Sequence, residues 1–262
     1  MSLCVSFGIF LLGLCFGSFG NVVIARVPLG ISVVRPRSRC PNCKKQIRWF
    51  DNIPVLSFLW LKAKCRSCHV KISWRYPTVE LLSGLLFVGL FNKLGLTVTF
   101  FEWVILGWGS LVASFIDLDH RILPDVMTLP GIGLGLLGAF LNPDRTVLDA
   151  VLGIVAGGGF LWSVAFIYQT IRHEEGMGGG DIKLLAWIGS VLGWKSVVFS
   201  IIVSSLLGSA VGGGYALLRK SGMKTAIPFG PFLALAALLF MFVGQTIIDE
   251  YIRFFLPFAS NS

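Results

Sequence analysis

Long apolar runs, one after another, leave this chain few ways to fold. They lie at Leu3 to Ala25, Thr78 to Phe91, Leu96 to Ile116, Val126 to Leu141, Val147 to Tyr168, Ile182 to Trp194, Ser196 to Leu218 and Pro231 to Ile248. A hydrocarbon core of ~30 Å is crossed by about 20 helical residues rising 1.5 Å each. Inside that core every backbone N–H and C=O has to be paired within the protein, which a helix achieves on its own. The runs therefore predict an all-α integral membrane protein with about eight transmembrane helices. The second and sixth runs fall short of ~20 residues and are the weakest spans. Composition agrees: 55% of the residues are hydrophobic and 13% charged, against roughly 45–50% and about 25% in soluble domains, which argues against a water-soluble enzyme.

Charge sets the orientation. More than half of the 22 basic residues fall between the first two runs, from Arg26 through Arg35, Arg37, Arg39, Lys44, Lys45 and Arg48 to Lys62, Lys64, Arg66, Lys71 and Arg75. Lysine and arginine accumulate on the cytoplasmic side of membrane proteins, so this loop is expected to face the cytoplasm. Strict alternation then puts Arg121, Arg172, Lys183, Arg219, Lys220 and Lys224 on the same side and leaves Lys93, Arg145, Lys195 and Arg253 opposite. The net charge of +9 is explained by this topology and by attraction to anionic membrane lipids, at about 1 kcal/mol per cation near the surface; no nucleic-acid partner is needed. The first run has no basic region before it and no small-residue cleavage site, so it is expected to stay as a helix. Three segments follow: residues 1–25 as the first span, 26–77 as the loop, and 78–262 as the polytopic remainder.

The loop is too small to build a core unaided. It contains Cys40-Pro-Asn-Cys43 and Cys65-Arg-Ser-Cys68, with a spacer running from Lys44 to Lys64. Two Cys-x-x-Cys knuckles at this separation have the spacing of a zinc ribbon. Four thiolates would form a closed tetrahedral Zn2+ site that stabilises the loop. A pair of disulfides or a redox centre is the competing reading, and a reducing cytoplasm disfavours it. Cys4 and Cys15, inside the first run, read as packing residues. Gly157-Gly158-Gly159 and Gly212-Gly213-Gly214 read as close-packing points between helices, and Pro130 as a kink or cavity.

Asp117 and Asp181 stand where apolar runs meet polar residues. An ionisable side chain at membrane depth costs about 2.5–3.5 kcal/mol on insertion scales and marks a functional site by default. The predicted topology brings both to the cytoplasmic face. Two carboxylates about 4 Å apart repel by roughly 4 kcal/mol at an effective dielectric of 20, so such a pair holds one proton between them. It then contains a base to activate water and an acid to assist the leaving amine. Gly178-Gly179-Gly180 precede Asp181 and present a segment without side chains, of irregular geometry, along which an extended peptide could lie. The competing reading makes these acids helix-end residues facing the dipole, which is favoured for Asp119 and for Asp125 as a cap of the fourth span.

The same residues carry a resemblance. Gly17-Ser18-Phe19-Gly20-Asn21-Val22 with Arg26 and Pro28, the four cysteines, Asp51-Asn52-Ile53-Pro54-Val55-Leu56-Ser57, Arg75-Tyr76-Pro77 with Glu80, Asp117 through Leu123-Pro124-Asp125, Glu175-Gly176-Met177-Gly178-Gly179-Gly180-Asp181 with Lys183, and Ile227-Pro228-Phe229-Gly230-Pro231-Phe232 occur in the order found in bacterial type IV prepilin peptidases. Nearly the whole chain resembles that family, the leader peptidases and N-methyltransferases of pilus and type II secretion systems. The resemblance implies that Asp117 and Asp181 are the catalytic pair. It implies cleavage of prepilin and pseudopilin leaders at the cytoplasmic face of the bacterial inner membrane, and methylation of the new amino terminus from S-adenosylmethionine. No strand followed by a glycine-rich turn into a helix is present, so the methyl donor has no nucleotide-binding fingerprint. Glu80 and Arg75 are candidates for its pocket, with an ion pair that fixes the helix as the alternative. A basic leader beside a basic loop needs local acids, for which Asp119, Glu174 and Glu175 are candidates. A peptidase without methyltransferase activity, a proton-coupled transporter and a metal-dependent scaffold are the rival readings. The sequence leaves the oligomeric state open.

Overall fold

The structure is a computed structural model that describes residues 3–173, 178–219 and 228–255. Each predicted apolar run is largely helical. In chain order these are α1 (Leu3–Arg26), the short α2 (Leu56–Trp60) in the loop, α3 (Arg75–Leu94), α4 (Val98–His120), α5 (Asp125–Leu141), α6 (Val147–Arg172), α7 (Gly179–Leu192), α8 (Trp194–Arg219), and α9 (Gly230–Leu239), which continues through a π turn (Phe240–Gly244) into α10 (Gln245–Phe255). Six stretches among the described residues are long and apolar enough to cross a membrane, which makes this a multi-pass membrane protein. The second run extends outward to a full 20-residue helix, α3. The short ones are α5, with 17 residues, and α7, with 14.

A helix as short as α7 spans only about 21 Å, less than the hydrocarbon core. Its position explains how that is tolerated. Residues Leu184 to Val191 are all buried, and α7 packs against α4, α5, α6, α8 and α9. Its middle is therefore enclosed by protein rather than lipid, where mismatch matters little.

Glycines let the helices approach. A Cβ on Gly13 would lie 2.7 Å from the Ser83 carbonyl oxygen, and one on Gly17 would lie 2.5 Å from the Glu80 Cα, so α1 and α3 touch backbone to backbone. Between α6 and α7 the fit is reciprocal: Gly153 faces the Gly189 carbonyl and Gly189 faces the Gly153 carbonyl. Gly157 makes the same kind of approach, 2.5 Å from the Leu185 carbonyl. Gly213 and Gly214 behave differently from the packing expectation. Among the described residues nothing lies within 4 Å of a Cβ position on either.

A polar clamp closes the end away from the cysteine loop. Arg145, between α5 and α6, pairs with the buried Glu102 of α4 and donates to the carbonyls of Gly135 in α5 and Ser190 in α7, each at 2.5 Å. Asn142 donates to the other Glu102 oxygen at 2.7 Å. Removing one partner of such a pair leaves an uncompensated buried charge. Glu102→Ala is expected to cost about 3–5 kcal/mol, read as a lowered thermal midpoint of the detergent-solubilised protein.

Candidate active site and metal centre

Three helix ends converge on one point. Asp117 lies in the last turn of α4, which stops at Arg121 in the left-handed conformation (φ +57°), with the Arg121 N–H donating to the Asp117 carbonyl at 2.8 Å. The Asp117 side chain turns inward, leaving 6% of the residue exposed. Gly178 is extended, α7 opens at Gly179, and Asp181 stands in its first turn, where the positive end of the helix dipole favours a carboxylate. The third end is the start of α9: the Gly230 N–H donates to Asp117 Oδ2 at 3.1 Å.

Leu123, buried in the connection between α4 and α5, wedges these ends together. A Cβ on Gly180 would sit 2.7 Å from the Leu123 Cβ, and one on Gly230 would sit 3.2 Å from its Cδ1. Asp181 follows Gly180 directly, so the contacts of Leu123 with Gly180 and Gly230 bring it to the helix ends where Asp117 lies. Beside them, among the described residues, nothing lies within 4 Å of a Cβ position on Gly179, and only an Asp181 oxygen, at 4.0 Å, lies near one on Gly178. Gly179 and Gly180 are helical, contrary to the irregular geometry expected from the glycine run.

The other expected site residues fall nearby in different roles. Asp119 forms an ion pair with Arg75 of α3. Asp125 pairs with Lys183 at 2.6 Å; it is the first residue of α5, whose cap position belongs to Pro124, so the expected capping role is not the one it has. Glu174 and Glu175 lie outside the described residues. Glu80 is buried and accepts the Val55 N–H at 2.8 Å. Val55 has φ +61° and ψ −49°, and the Leu56 N–H donates to the Pro54 carbonyl at 2.6 Å. This is a tight γ turn centred on a β-branched residue, an uncommon and strained geometry, held by the Glu80 carboxylate. Glu80 and Arg75 are thus each engaged with another group, Val55 and Asp119.

In the loop the two cysteine knuckles repeat one geometry. The Cys40 N–H donates to the Lys45 carbonyl and the Cys65 N–H to the Val70 carbonyl, both at 2.9 Å. The Lys44 N–H donates to Cys40 and the His69 N–H to Cys65, both at 3.0 Å, with Lys44 and His69 at φ +58° and +56°. This brings the four sulfurs within 4.8 Å of one another, with Cys40 and Cys68 3.8 Å apart. A tetrahedron of ~2.3 Å metal–sulfur bonds has edges of about 3.8 Å, so the donor set fits a metal ion. Backbone N–H groups favour the thiolates. The Val70 N–H, opposed by burial, helps pull Cys68 down to about 6, and the Cys43 N–H lowers Cys40. Cys43 is pushed up to about 11; the Lys45 N–H opposes this, while burial and the neighbouring sulfurs drive it.

Comparison with known proteins bears on both centres. Residues 11–94 match the bacterial peptidase A24 N-terminal domain, and residues 103–213 match the type IV leader peptidase family. A protein of Aeromonas hydrophila named prepilin leader peptidase/N-methyltransferase is 39% identical over 272 residues, covering 95% of this chain and 94% of the relative. The chain belongs to the type IV leader peptidase family. A relative of the same name in Pseudomonas aeruginosa is 39% identical over 93% of this chain and 92% of its own length. One in Myxococcus xanthus is 44% identical over 78% of this chain and 61% of its own. No solved structure matches. In this leader peptidase family member the first matched block holds the four cysteines and Glu80, and the second holds both aspartates. The Arg75–Asp119 ion pair joins the two blocks. Gly230 lies beyond both, and sequence reasoning did not single it out as a site residue. Its only signal was the Pro-Phe-Gly-Pro segment, because its contribution is a backbone amide.

Proposed function

We propose that this chain is a membrane aspartic endopeptidase that removes the leader of type IV prepilins and pseudopilins and N-methylates the new amino terminus with S-adenosylmethionine. The observation that carries the peptidase is the meeting of Asp117 and Asp181 at three helix ends, with an open glycine segment beside them. One carboxylate, ionised, takes a proton from the attacking water while the other, protonated, donates to the scissile carbonyl oxygen; on collapse the first passes its proton to the departing amine and the second takes back the hydroxyl proton, which restores the starting state. The Gly230 N–H fixes one Asp117 oxygen and leaves the other for this exchange. The substrate strand lies extended along Gly178 and Gly179, with Gly180 packed on Leu123, since an intact helix hides its amides. The leader's positive charges face Asp119, Glu174 and Glu175.

The names of the relatives and the family match support methyl transfer. Cys40, Cys43, Cys65 and Cys68 would hold Zn2+, which supplies no open coordination position and so stabilises the loop instead of taking part in chemistry. The charge asymmetry of the loops supports placement in the bacterial inner membrane, with the aspartates and the cysteine loop facing the cytoplasm, in contact with anionic lipids and delivering product to pilus or type II secretion machinery.

In vitro processing of a prepilin, with the new terminus read by mass spectrometry, tests the peptidase. Labelled S-adenosylmethionine supplied with an already cleaved pilin tests the transferase. Gly230→Ala probes the site geometry, because its Cβ would sit 2.7 Å from Asp117 Oδ2. The carboxylate has to move, and a misplacement of about 1 Å can cost around 100-fold. Cleavage is expected to fall by about that factor at an unchanged thermal midpoint; unimpaired turnover would show that the Gly230 contact is dispensable.

A further inference from the structure

A cleft of about 410 Å³ lies between the cytoplasmic end of α1 and the cysteine loop, lined by Val22, Arg26, Arg37, Arg48, Trp49 and Asn52 among others. Its volume is in the range of ligand sites. Arg26 is the last residue of α1 and Val22 lies one turn earlier, so the cleft opens at the level where the chain leaves the membrane. No carboxylate lines it. Asp51, close enough for Arg48 to feel its charge, is already held by Arg66 at 2.8 and 2.6 Å. None of the three lining arginines takes part in an ion pair among the described residues. Arg26 donates to the Ser32 carbonyl at 3.0 Å, and Arg48 lies 5.8 Å from the Phe50 ring centre.

Three guanidiniums without acidic counterparts select an anion, and their planar forks suit phosphate oxygens. The rim selects further. Val34, Ile47 and Trp49 in its lining are exposed, Val34 by 78% and Trp49 by 81%. A site for a free metabolite would face water with polar residues. An apolar rim with tryptophan at the membrane boundary suits a ligand with a hydrocarbon part. S-adenosylmethionine fits less well, because its single carboxylate is outweighed by its sulfonium and ammonium and its net charge is positive.

We propose that this cleft binds the phosphate headgroup of an anionic phospholipid, whose acyl chains lie against the apolar lining at Val34, Ile47 and Trp49 and which pins the cysteine loop to the membrane surface. The proposal rests on the membrane orientation and is independent of the peptidase chemistry. Native mass spectrometry of the full-length protein, titrated with phosphatidylglycerol in detergent, tests it. The wild type is expected to retain one phosphatidylglycerol more than the Arg37→Gln/Arg48→Gln variant, with binding at that site weakened at least about tenfold in the variant. Trp49→Ala weakens it less, phosphatidylcholine is not retained, and inorganic phosphate at millimolar concentration does not displace the lipid. Equal retention by wild type and the glutamine pair overturns the proposal, and so does displacement by inorganic phosphate alone, which would mark a free-anion site. If the glutamine pair fails to fold, Arg37→Lys/Arg48→Lys, which keeps charge without the fork, is read in its place: weakened retention supports the site and unchanged retention overturns it. Lipid counting uses no substrate, so its failure is distinguishable from failure to cleave a prepilin.

Discussion

Prepilin cleavage falls about a thousandfold or more in Asp117→Asn and in Asp181→Asn, because each substitution removes one of the two proton-transfer groups, and each such group contributes about 10²–10⁴-fold. Asparagine keeps the size of the side chain and an acceptor oxygen for the Gly230 N–H. The fold and the wedge of Leu123 between Gly180 and Gly230 should therefore survive, and unchanged thermal midpoints would establish that the loss is chemical. The double variant is expected to be little worse than either single one, since the carboxylates act as a unit and their effects do not add. The wild-type pH profile should be bell-shaped, with limbs that belong to the pair rather than to either residue. In both asparagine variants one limb disappears along with most of the rate. Substantial cleavage by either folded variant would remove the aspartic mechanism and return the transporter and scaffold readings to consideration.

Asp117 and Asp181 were legible in the sequence because ionisable side chains at the edges of apolar runs are costly, and both runs end on the same predicted side. The cysteine knuckles were legible because ligand spacing is local. What escaped depends on contacts without a local pattern. Glu102 and Arg145 are 43 residues apart, and nothing in either neighbourhood announces the other. Gly230 contributes only its N–H and its lack of a Cβ, and a glycine beside two prolines reads equally well as a turn. Hydropathy detected the run that becomes α7 but not its role. It is short because it is enclosed by other helices, and hydropathy does not distinguish burial in protein from burial in lipid. Two glycine runs were read alike as packing points, yet Gly157 touches backbone and Gly213 has no neighbour among the described residues, while Gly180, read as open to a peptide, receives Leu123. Only the partner surface separates them.

Removal of the metal is expected to unfold the loop between α1 and α3 while the helical bundle persists. Between Gly30 and Trp74 only Cys40 and Phe58 are buried, so this segment has almost no hydrophobic core to hold it. Structural zinc in small domains contributes about 10–16 kcal/mol of apparent binding free energy, far more than two isolated bridges and the exposed Asp51–Arg66 pair can replace. One metal ion per chain should be found by elemental analysis, and none in Cys40→Ser/Cys65→Ser. After chelation, limited proteolysis should cut within residues 30–74 while helical circular dichroism falls only slightly. A reductant alone should leave protease resistance intact, which separates a metal site from a pair of disulfides. The disturbance also has a route to the aspartates. The Asp51–Val55 segment is tied to α3 through Glu80, and α3 is tied to the end of α4 through Arg75 and Asp119. Cleavage should therefore decline with metal loss, but less than in the asparagine variants, since Asp117, Asp181 and Gly230 stay in place on α4, α7 and α9. A loop that remains protease-resistant after its metal is gone would mean that membrane contact, not the four sulfurs, holds it.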